Sequence, residues 1–504
     1  MDEALETHDL EQEENEQILQ RRKKLTELRA LNRVYPNNFK RNFLAADLQQ
    51  QYGHCSSEAL SSNPIEVKIA GRMMTRRIMG KASFAHLQDM SGRMQVYVAR
   101  DQVGDEIYQD FKNWDIGDIL GVVGSLFITK TGELSIKTSQ IFLMTKALRP
   151  LPNKFHGLVD HEQRFRQRYL DLLMNESTRR IFLIRSKLVF ALRQFFDTRG
   201  FIEVETPMMQ AQAGGAAAKP FITHHNAMDM ELALRIAPEL FLKRLVVGGL
   251  EKVYEINRNF RNEGISTRHN PEFTMLEFYT AYADYHDLMN LTEELLQYLA
   301  ESVLGQKVLS YQETSIDFSQ PFKRLTLKES ILFYSSSIKE NQLNDLELAR
   351  QLAHDLNISI PDASGLGKIQ YTLFEHLVEE KLIQPTFITH FPAEVSPLAR
   401  SNDSDPFVTD RFELFIGGRE LANGFSELND PDEQAERFKK QIQAKLAGDE
   451  EAMPFDEDYI LALEYGLPPT AGEGIGIDRL AMLFANVDSI REVILFPLLR
   501  QKKK

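Results

Sequence analysis

The chain has 504 residues, a formal net charge of −14, a hydrophobic fraction of 43% and one cysteine, Cys55. That length calls for two or three domains. The acidic balance argues against generic affinity for nucleic acid, and a lone cysteine excludes an internal disulfide and four-cysteine zinc sites. No apolar run reaches membrane-spanning length, and the polar, acidic start has no signal-peptide pattern. A soluble cytoplasmic protein with no membrane partner is expected.

Residues 1 to about 35 are rich in Glu, Gln, Leu, Arg and Lys and lack Gly and Pro. They predict an exposed helix, acidic first and basic later, as the helix dipole favours. It is either simply solvated or a surface for RNA. Residues 1–60 form this N-terminal helical extension. From 61 to 148 the pattern gives three strands (Ile65 to Arg77, Ala82 to Met90, Met94 to Arg100), a helix (Gly104 to Asn113) and two strands (Asp118 to Thr129, Glu133 to Met144). That order is an OB-fold, a small barrel that often binds oligonucleotides. Alternation sends Ala85, Leu87, Met94, Val96 and Val98 inward and exposes Phe84, His86, Gln88, Gln95 and Tyr97. Aromatic rings stack on unpaired bases, and amide and imidazole groups read their edges. Glu133 sits at the loop joining the last two strands. Sugars or proteins are other ligands of this fold, so the barrel leaves its ligand open.

Leu148 to Pro152 carries two prolines and opens a linker over 149–175. A long helix then ends at Gly200, followed by a strand, Phe201 to Thr206, closed by Pro207. Gly214 and Gly215 make a small-residue loop, and Glu239 opens the helix ELFLKRLVVGG. Val253 to Tyr279 reads as two strands joined by a polar loop. Glu255, Asn257, Asn259, Arg261 and Glu263 alternate on the first limb, and Phe273, Met275, Glu277 and Tyr279 on the second. Such a face exceeds plain solvation. An arginine forks onto phosphate or carboxylate, and a phenyl ring among polar groups is a stacking platform. The loop between adds Arg268, His269 and Asn270. A mainly helical insertion at about 300–390 carries no evident chemistry.

Thr409 to Leu428 reads as a hairpin turning at Gly417 and Gly418. Phe415 then pairs with Glu420, so Glu413 and Glu420 share a face. Two such carboxylates are either a solvated pair or oxygen ligands for Mg²⁺ or Mn²⁺, and the phosphate-binding surface favours the metal. Asn423 and Glu427 have the other parity, which predicts a break near Gly424. Last, Gly472 to Gly476 precedes Arg479 and a helix, without the spacing of a dinucleotide loop, and no phosphate-loop motif occurs.

FRNE at Phe260 to Glu263, followed by HNPEF at His269 to Phe273, resembles motif 2 of the class II aminoacyl-tRNA synthetases. The wording RNFRNEGISTRHNPEFTMLE resembles the bacterial lysyl type. Phe201 to Pro207 looks like motif 1, and Gly472 to Leu480 like motif 3. The resemblance runs from about residue 15 to Arg500. It departs at Ala211 to Ala218, where alanines stand in place of an expected proline and serine. It implies an α+β protein: the barrel as an anticodon-binding domain, then a catalytic domain at 176–504 built on an antiparallel sheet flanked by helices, acting as a homodimer. It implies anticodon contacts at Phe84, Gln95 and Glu133, with tRNA(Lys), ATP and L-lysine as partners. Arg261 and Arg479 are the catalytic residues it implies, and ATP would meet Arg261, Glu263, Arg268, His269, Asn270, Phe273 and Arg479. Mg²⁺ would sit on Glu413 and Glu420, and the α-amino group of the substrate on Gly215 and Glu239.

The residues argue specificity separately. A cationic substrate side chain in a cleft needs carboxylates to offset its desolvation. Glu277 and Glu427 supply them, with Tyr279 and Asn423 as neutral partners, and Phe425 and Arg261 complete the lysine pocket. An aspartate enzyme would need a Lys or Arg facing the substrate side chain, and none of the alternating positions supplies one for that role. Aspartate or asparagine enzymes of the same architecture, and a silent RNA-binding paralogue, are the alternatives. The latter should have lost Arg261, Glu413, Glu420 or Arg479.

Overall fold

The computed structural model describes residues 2–31, 33, 35–152, 161–362, 364–446 and 452–501, with side chains from residue 14 onward. Part of the linker, 153–160, and the Lys502 to Lys504 tail lie outside the described residues. The chain divides into two compact units, 1–157 and 158–504.

In the first unit, helix α1 (Asp2–Ala30) precedes strands β1 (Glu66–Met79), β2 (Ala82–Gln88) and β3 (Arg93–Ala99). Helix α2 (Asp105–Asn113) leads to β4 (Ile119–Ile128) and β5 (Leu134–Thr145). The strands close into a barrel in the order β1-β2-β3-β5-β4, the OB-fold that the pattern predicts. Val67, Ile69, Ala85, Val96, Val98 and Ile136 fill it, and α2 adds Tyr108 and Phe111. One expectation fails. Gln88 is buried, because the alternation ends with β2, and its Oε1 accepts from Arg93 Nε at 2.9 Å.

The second unit carries strands β6 (Ile202–Glu203), β7 (Met209–Gln210), β8 (Ile222–His225), β9 (Met230–Leu234), β10 (Lys252–Phe260) and β11 (Glu272–Ala281). They continue with β12 (Val308–Tyr311), β13 (Thr314–Asp317), β14 (Lys323–Thr326), β15 (Thr386–Thr389), β16 (Arg411–Phe415), β17 (Glu420–Ser426) and β18 (Thr470–Gly476). Eight of these form one sheet in the order β14-β15-β16-β17-β18-β11-β10-β6. The sheet is antiparallel at its centre and parallel only at the two edge pairs, β14 with β15 and β10 with β6. The predicted strand over Phe201 to Thr206 shrinks to the two residues of β6, because Thr206 instead bonds the Glu255 carboxylate through its N–H and Oγ1.

Alternation on β10, β11, β16 and β18 divides this sheet cleanly. Tyr254, Leu276, Phe278, Phe412, Leu414 and Ile475 pack into a core with helices α3 (Glu176–Asp197) and α5 (Tyr285–Leu299), which sends in Leu288, Leu295 and Leu296. Helix α4 (Glu239–Val247), between them in sequence, packs in another cluster with Tyr279. The other residues of β10 and β11 point to the opposite face. The insertion has its own core around Ile331, Leu343, Ile369, Leu373 and Phe374. It includes helix α6 (Leu366–Leu377), and also strands β12 to β14, which the helical reading misses.

Candidate active site

The limbs of β10 and β11 pair in a register that keeps the two alternating sets on one face: Glu255 faces Glu277, Asn257 faces Met275 and Asn259 faces Phe273. Arg261, one residue past β10, sets its Cζ 5.1 Å from the centre of the Phe273 ring. Its Nε is buried without a partner, so the guanidinium keeps donor capacity toward the cleft. Around it the loop is ordered by Ser266, whose Oγ accepts from the N–H groups of Arg268 and His269. Arg268 reaches Glu380 at 3.3 Å, and Glu263 is exposed. Burial holds the His269 imidazole below its ordinary value, and the cations Arg479, Arg261 and Arg268 push the same way, against Glu263. Asn270 turns instead onto nearby backbone, with Nδ2 donating to the Glu272 carbonyl at 2.6 Å.

The glycines of the last motif run along β18 and form a floor. Gly472 lies opposite Tyr279 on one side and Phe425 on the other; Gly474 lies opposite Glu277 and Asn423. A Cβ on Gly472 would come 2.2 Å from the Tyr279 ring and 2.3 Å from Glu427 Oε1. Glycine is thus required by close approach, and the space goes to side chains that converge over the strand. Helix α7 (Ile477–Ala485) follows and presents Arg479, whose Nη1 donates to the Glu420 carbonyl at 2.7 Å and to its Oε2 at 3.1 Å.

The hairpin does contain a break, at another place. Phe415 pairs with Glu420 as predicted, and the register then slips between Leu414 and Phe415, so that Glu413 pairs with Asn423 and Arg411 with Phe425. The extra residue is Leu421, which turns into the core. Gly424 is glycine for a different reason: its Cβ would strike the Phe412 ring at 2.7 Å. With the slip, Arg411, Glu413, Asn423 and Phe425 share one face. Burial and the nearby Glu420 carboxylate push Glu413 up, and Arg411 holds it down from 2.5 Å. Among the described residues no group of three or more His, Cys, Asp or Glu is placed to hold a metal by protein ligands alone. Glu375 on α6 and Glu379 just past it lie within electrostatic range of Glu420.

Beside this lies a nest of buried carboxylates: Glu239 at 7% exposure, Glu277 at 5% and Glu427 at 2%. Gly215, at φ +87°, brings its loop against the Glu239 side chain. Burial, then the Glu239 charge, pushes Glu277 up to about 8. Its neighbour Tyr279 donates to it at 3.4 Å. Sequence reasoning missed the cations here. Lys243, on α4, is fully buried, with Nζ on Glu239 Oε1 at 2.6 Å and on Glu427 Oε2. A lysine therefore does face the pocket, although no alternating strand position holds one. The signal was present: Glu239 and Lys243 are four residues apart on one helix. Arg411 donates through Nε to Asn423 Oδ1 at 3.1 Å. Glu255 is not part of the nest, because Arg235 Nη1 holds it at 2.7 Å together with Thr206.

In the barrel unit, the predicted surface is assembled. Phe84 and Tyr97 pack with ring centres 5.0 Å apart, and Phe127 joins Tyr97 at 5.9 Å. Glu133 accepts from Gln95 Nε2 at 2.7 Å and lies 3.2 Å from His86 Nε2. Ser135 Oγ donates to Gln95 Oε1 at 2.9 Å, so the amide orientation is fixed.

Residues 160–500 match the family described as tRNA synthetases class II (D, K and N), and residues 67–144 match the OB-fold nucleic acid binding domain. The chain is 65% identical over 498 residues to a lysine–tRNA ligase of Coxiella burnetii (strain RSA 493 / Nine Mile phase I), covering 99% of this chain and 100% of that one. It is 62% identical over 489 residues to the lysine–tRNA ligase of Idiomarina loihiensis, covering 97% of each. For that of Thioalkalivibrio sulfidiphilus the identity is 61% over 489 residues, 97% of this chain and 98% of the other. With an OB-fold unit ahead of a helix-flanked sheet that carries all three motifs in order, the chain belongs to the class II tRNA synthetases (D, K and N).

Proposed function

We propose that the protein is a lysine–tRNA ligase. The substrate carboxylate attacks the α-phosphorus of ATP, the bond to pyrophosphate breaks, and a ribose hydroxyl at the 3′ end of tRNA(Lys) then takes the lysyl group with release of AMP. This chemistry needs positioning and charge neutralisation more than a general base. Arg261 binds the α-phosphate and the substrate carboxylate, and Phe273 and Arg479 hold the adenine. Glu263, Arg268, His269 and Asn270 belong to the ATP-binding loop. Gly215 and Glu239 take the α-amino group, and Glu277, Tyr279, Asn423, Phe425 and Glu427 form the side-chain pocket. Phe84, Gln95 and Glu133 bind the anticodon.

Glu413 and Glu420 are suited to Mg²⁺, which accepts one or two carboxylates and fills its other positions with phosphate oxygens and water. Burial, and then the Glu420 charge, push Glu413 up, and a cation there would offset both. When bound, the ion would neutralise the phosphate tail. We also assign the protein to the cytoplasm and to a homodimer joined through the Phe201 to Pro207 region.

The observation that carries the lysine reading is the nest of three buried carboxylates over the Gly472–Gly474 floor. Lys243 supplies one feature of an aspartate site, but the three carboxylates of the nest outnumber its charge. The test is charging of total tRNA with labelled lysine in the presence of MgATP. Acid-precipitable lysine, abolished by Arg261→Ala, supports the reading; no charging overturns it.

A further inference from the structure

Glutamate and lysine four residues apart on a helix ordinarily form a solvated surface pair worth a few tenths of a kcal/mol. The Glu239–Lys243 pair is instead entirely inside the protein, and its ammonium also meets Glu427 from beyond β17. The rings of Phe425 and Tyr459 lie 5.4 and 5.8 Å from Nζ. Burying a lysine that merely braces a helix is costly, so its position between two pocket carboxylates calls for a reason.

Charge counting supplies one. Glu239, Glu277 and Glu427 ionised contribute three negative charges and Lys243 one positive, which leaves two. Free lysine carries two ammonium groups, and its carboxylate is assigned to Arg261. The groups facing this nest are Tyr279 beside Glu277 on β11, Tyr459 near Glu427, Arg411 toward Glu239, and Arg235, Glu255 and Arg261 toward Glu277. Lys243 is the cation in contact with both Glu239 and Glu427.

We infer that Lys243 is a resident counter-ion that presets the substrate pocket, holding Glu239 and Glu427 as spaced anions before the amino acid arrives. This rests on the lysine reading of the pocket. Lys243 touches no reacting atom; it is a positioning residue that sets charge and therefore specificity. Burial drives both carboxylates up and the Lys243 charge opposes it most strongly, so its removal moves their protonation to higher pH.

The test compares wild type, Lys243→Met and Lys243→Arg in lysine-dependent ATP–pyrophosphate exchange from pH 5.5 to 9. Lys243→Met should raise the KM for lysine by about tenfold or more, with the KM for ATP unchanged. It should move the acid limb of kcat/KM upward by about one pH unit or more. Lys243→Arg should leave that limb in place, since the charge is kept. A folded Lys243→Met protein with wild-type KM and an unmoved limb overturns the inference. Should that variant not fold, lysine binding to the wild type is followed calorimetrically at pH 7 in two buffers of different ionisation enthalpy. Release of at most one proton, from Glu277, supports preset anions; release of two or more overturns them. A wild type that exchanges with no lysine overturns the pocket reading instead.

Discussion

The barrel surface and the carboxylate nest are assembled by opposite routes. On the barrel, β2 and β3 place Phe84 beside Tyr97 and His86 beside Gln95 in direct register, with Glu133 bonded across to both polar groups. The surface is half exposed, and its order comes from neighbouring strands. The nest draws Glu239 and Lys243 from α4, Glu277 and Tyr279 from β11, Glu427 from beyond β17 and a glycine floor from β18. These groups are buried, so each charge depends on the others. Exposed, locally built sites tolerate loss of one member; buried charge clusters do not.

Predictions test that contrast, starting with the largest effect. Glu427→Gln removes one side of a buried charge arrangement and should cost about 2–5 kcal/mol in kcat/KM for lysine, while the KM for ATP holds. A loss below tenfold would place Glu427 among the dispensable groups. Glu473 makes a similar point without a substrate. It is buried beneath the sheet with Thr292 Oγ1 donating at 2.6 Å, and burial pushes it up to about 8. A raised carboxyl binds its proton more tightly when folded, so its contribution to stability is complete below about pH 4.5 and is lost as pH rises toward 8. Glu473→Gln should therefore raise the stability progressively over that window, by on the order of 2–4 kcal/mol at pH 8, read as a Tm gain that grows with pH. A pH-independent change in thermal melts would contradict this.

Gly472→Ala should cost about 1–3 kcal/mol in stability from overpacking against Tyr279 and Glu427, and should raise the KM for lysine. An unchanged KM would show that the floor does not set the pocket. Smallest and most confined is the barrel. Phe84→Ala should lose about 1–3 kcal/mol of base stacking, read as a higher KM for tRNA in aminoacylation with amino acid activation untouched. Loss of activation would mean that the barrel surface does more than hold tRNA.

The same contrast explains what the sequence could disclose. Period-two alternation identified the barrel surface and the polar face that Glu255 and Glu277 share, and the glycine turn the pairing of Phe415 with Glu420, because each depends on one or two adjacent strands. It misplaced the hairpin break, since Leu421 is pulled into the core by packing that no local pattern encodes. It also passed over Lys243 and Arg411. A lysine on an amphipathic helix looks solvated until the fold shows what covers it. Asn270, grouped by motif with the ATP loop, spends a donor on the Glu272 backbone carbonyl.

The central claim is that a buried, net-negative pocket in this synthetase selects lysine. ATP–pyrophosphate exchange with lysine, aspartate and asparagine supplied separately, in magnesium, tests it most directly. The account predicts exchange with lysine alone. Exchange with aspartate or asparagine would leave the fold standing and contradict the charge argument that assigns the pocket.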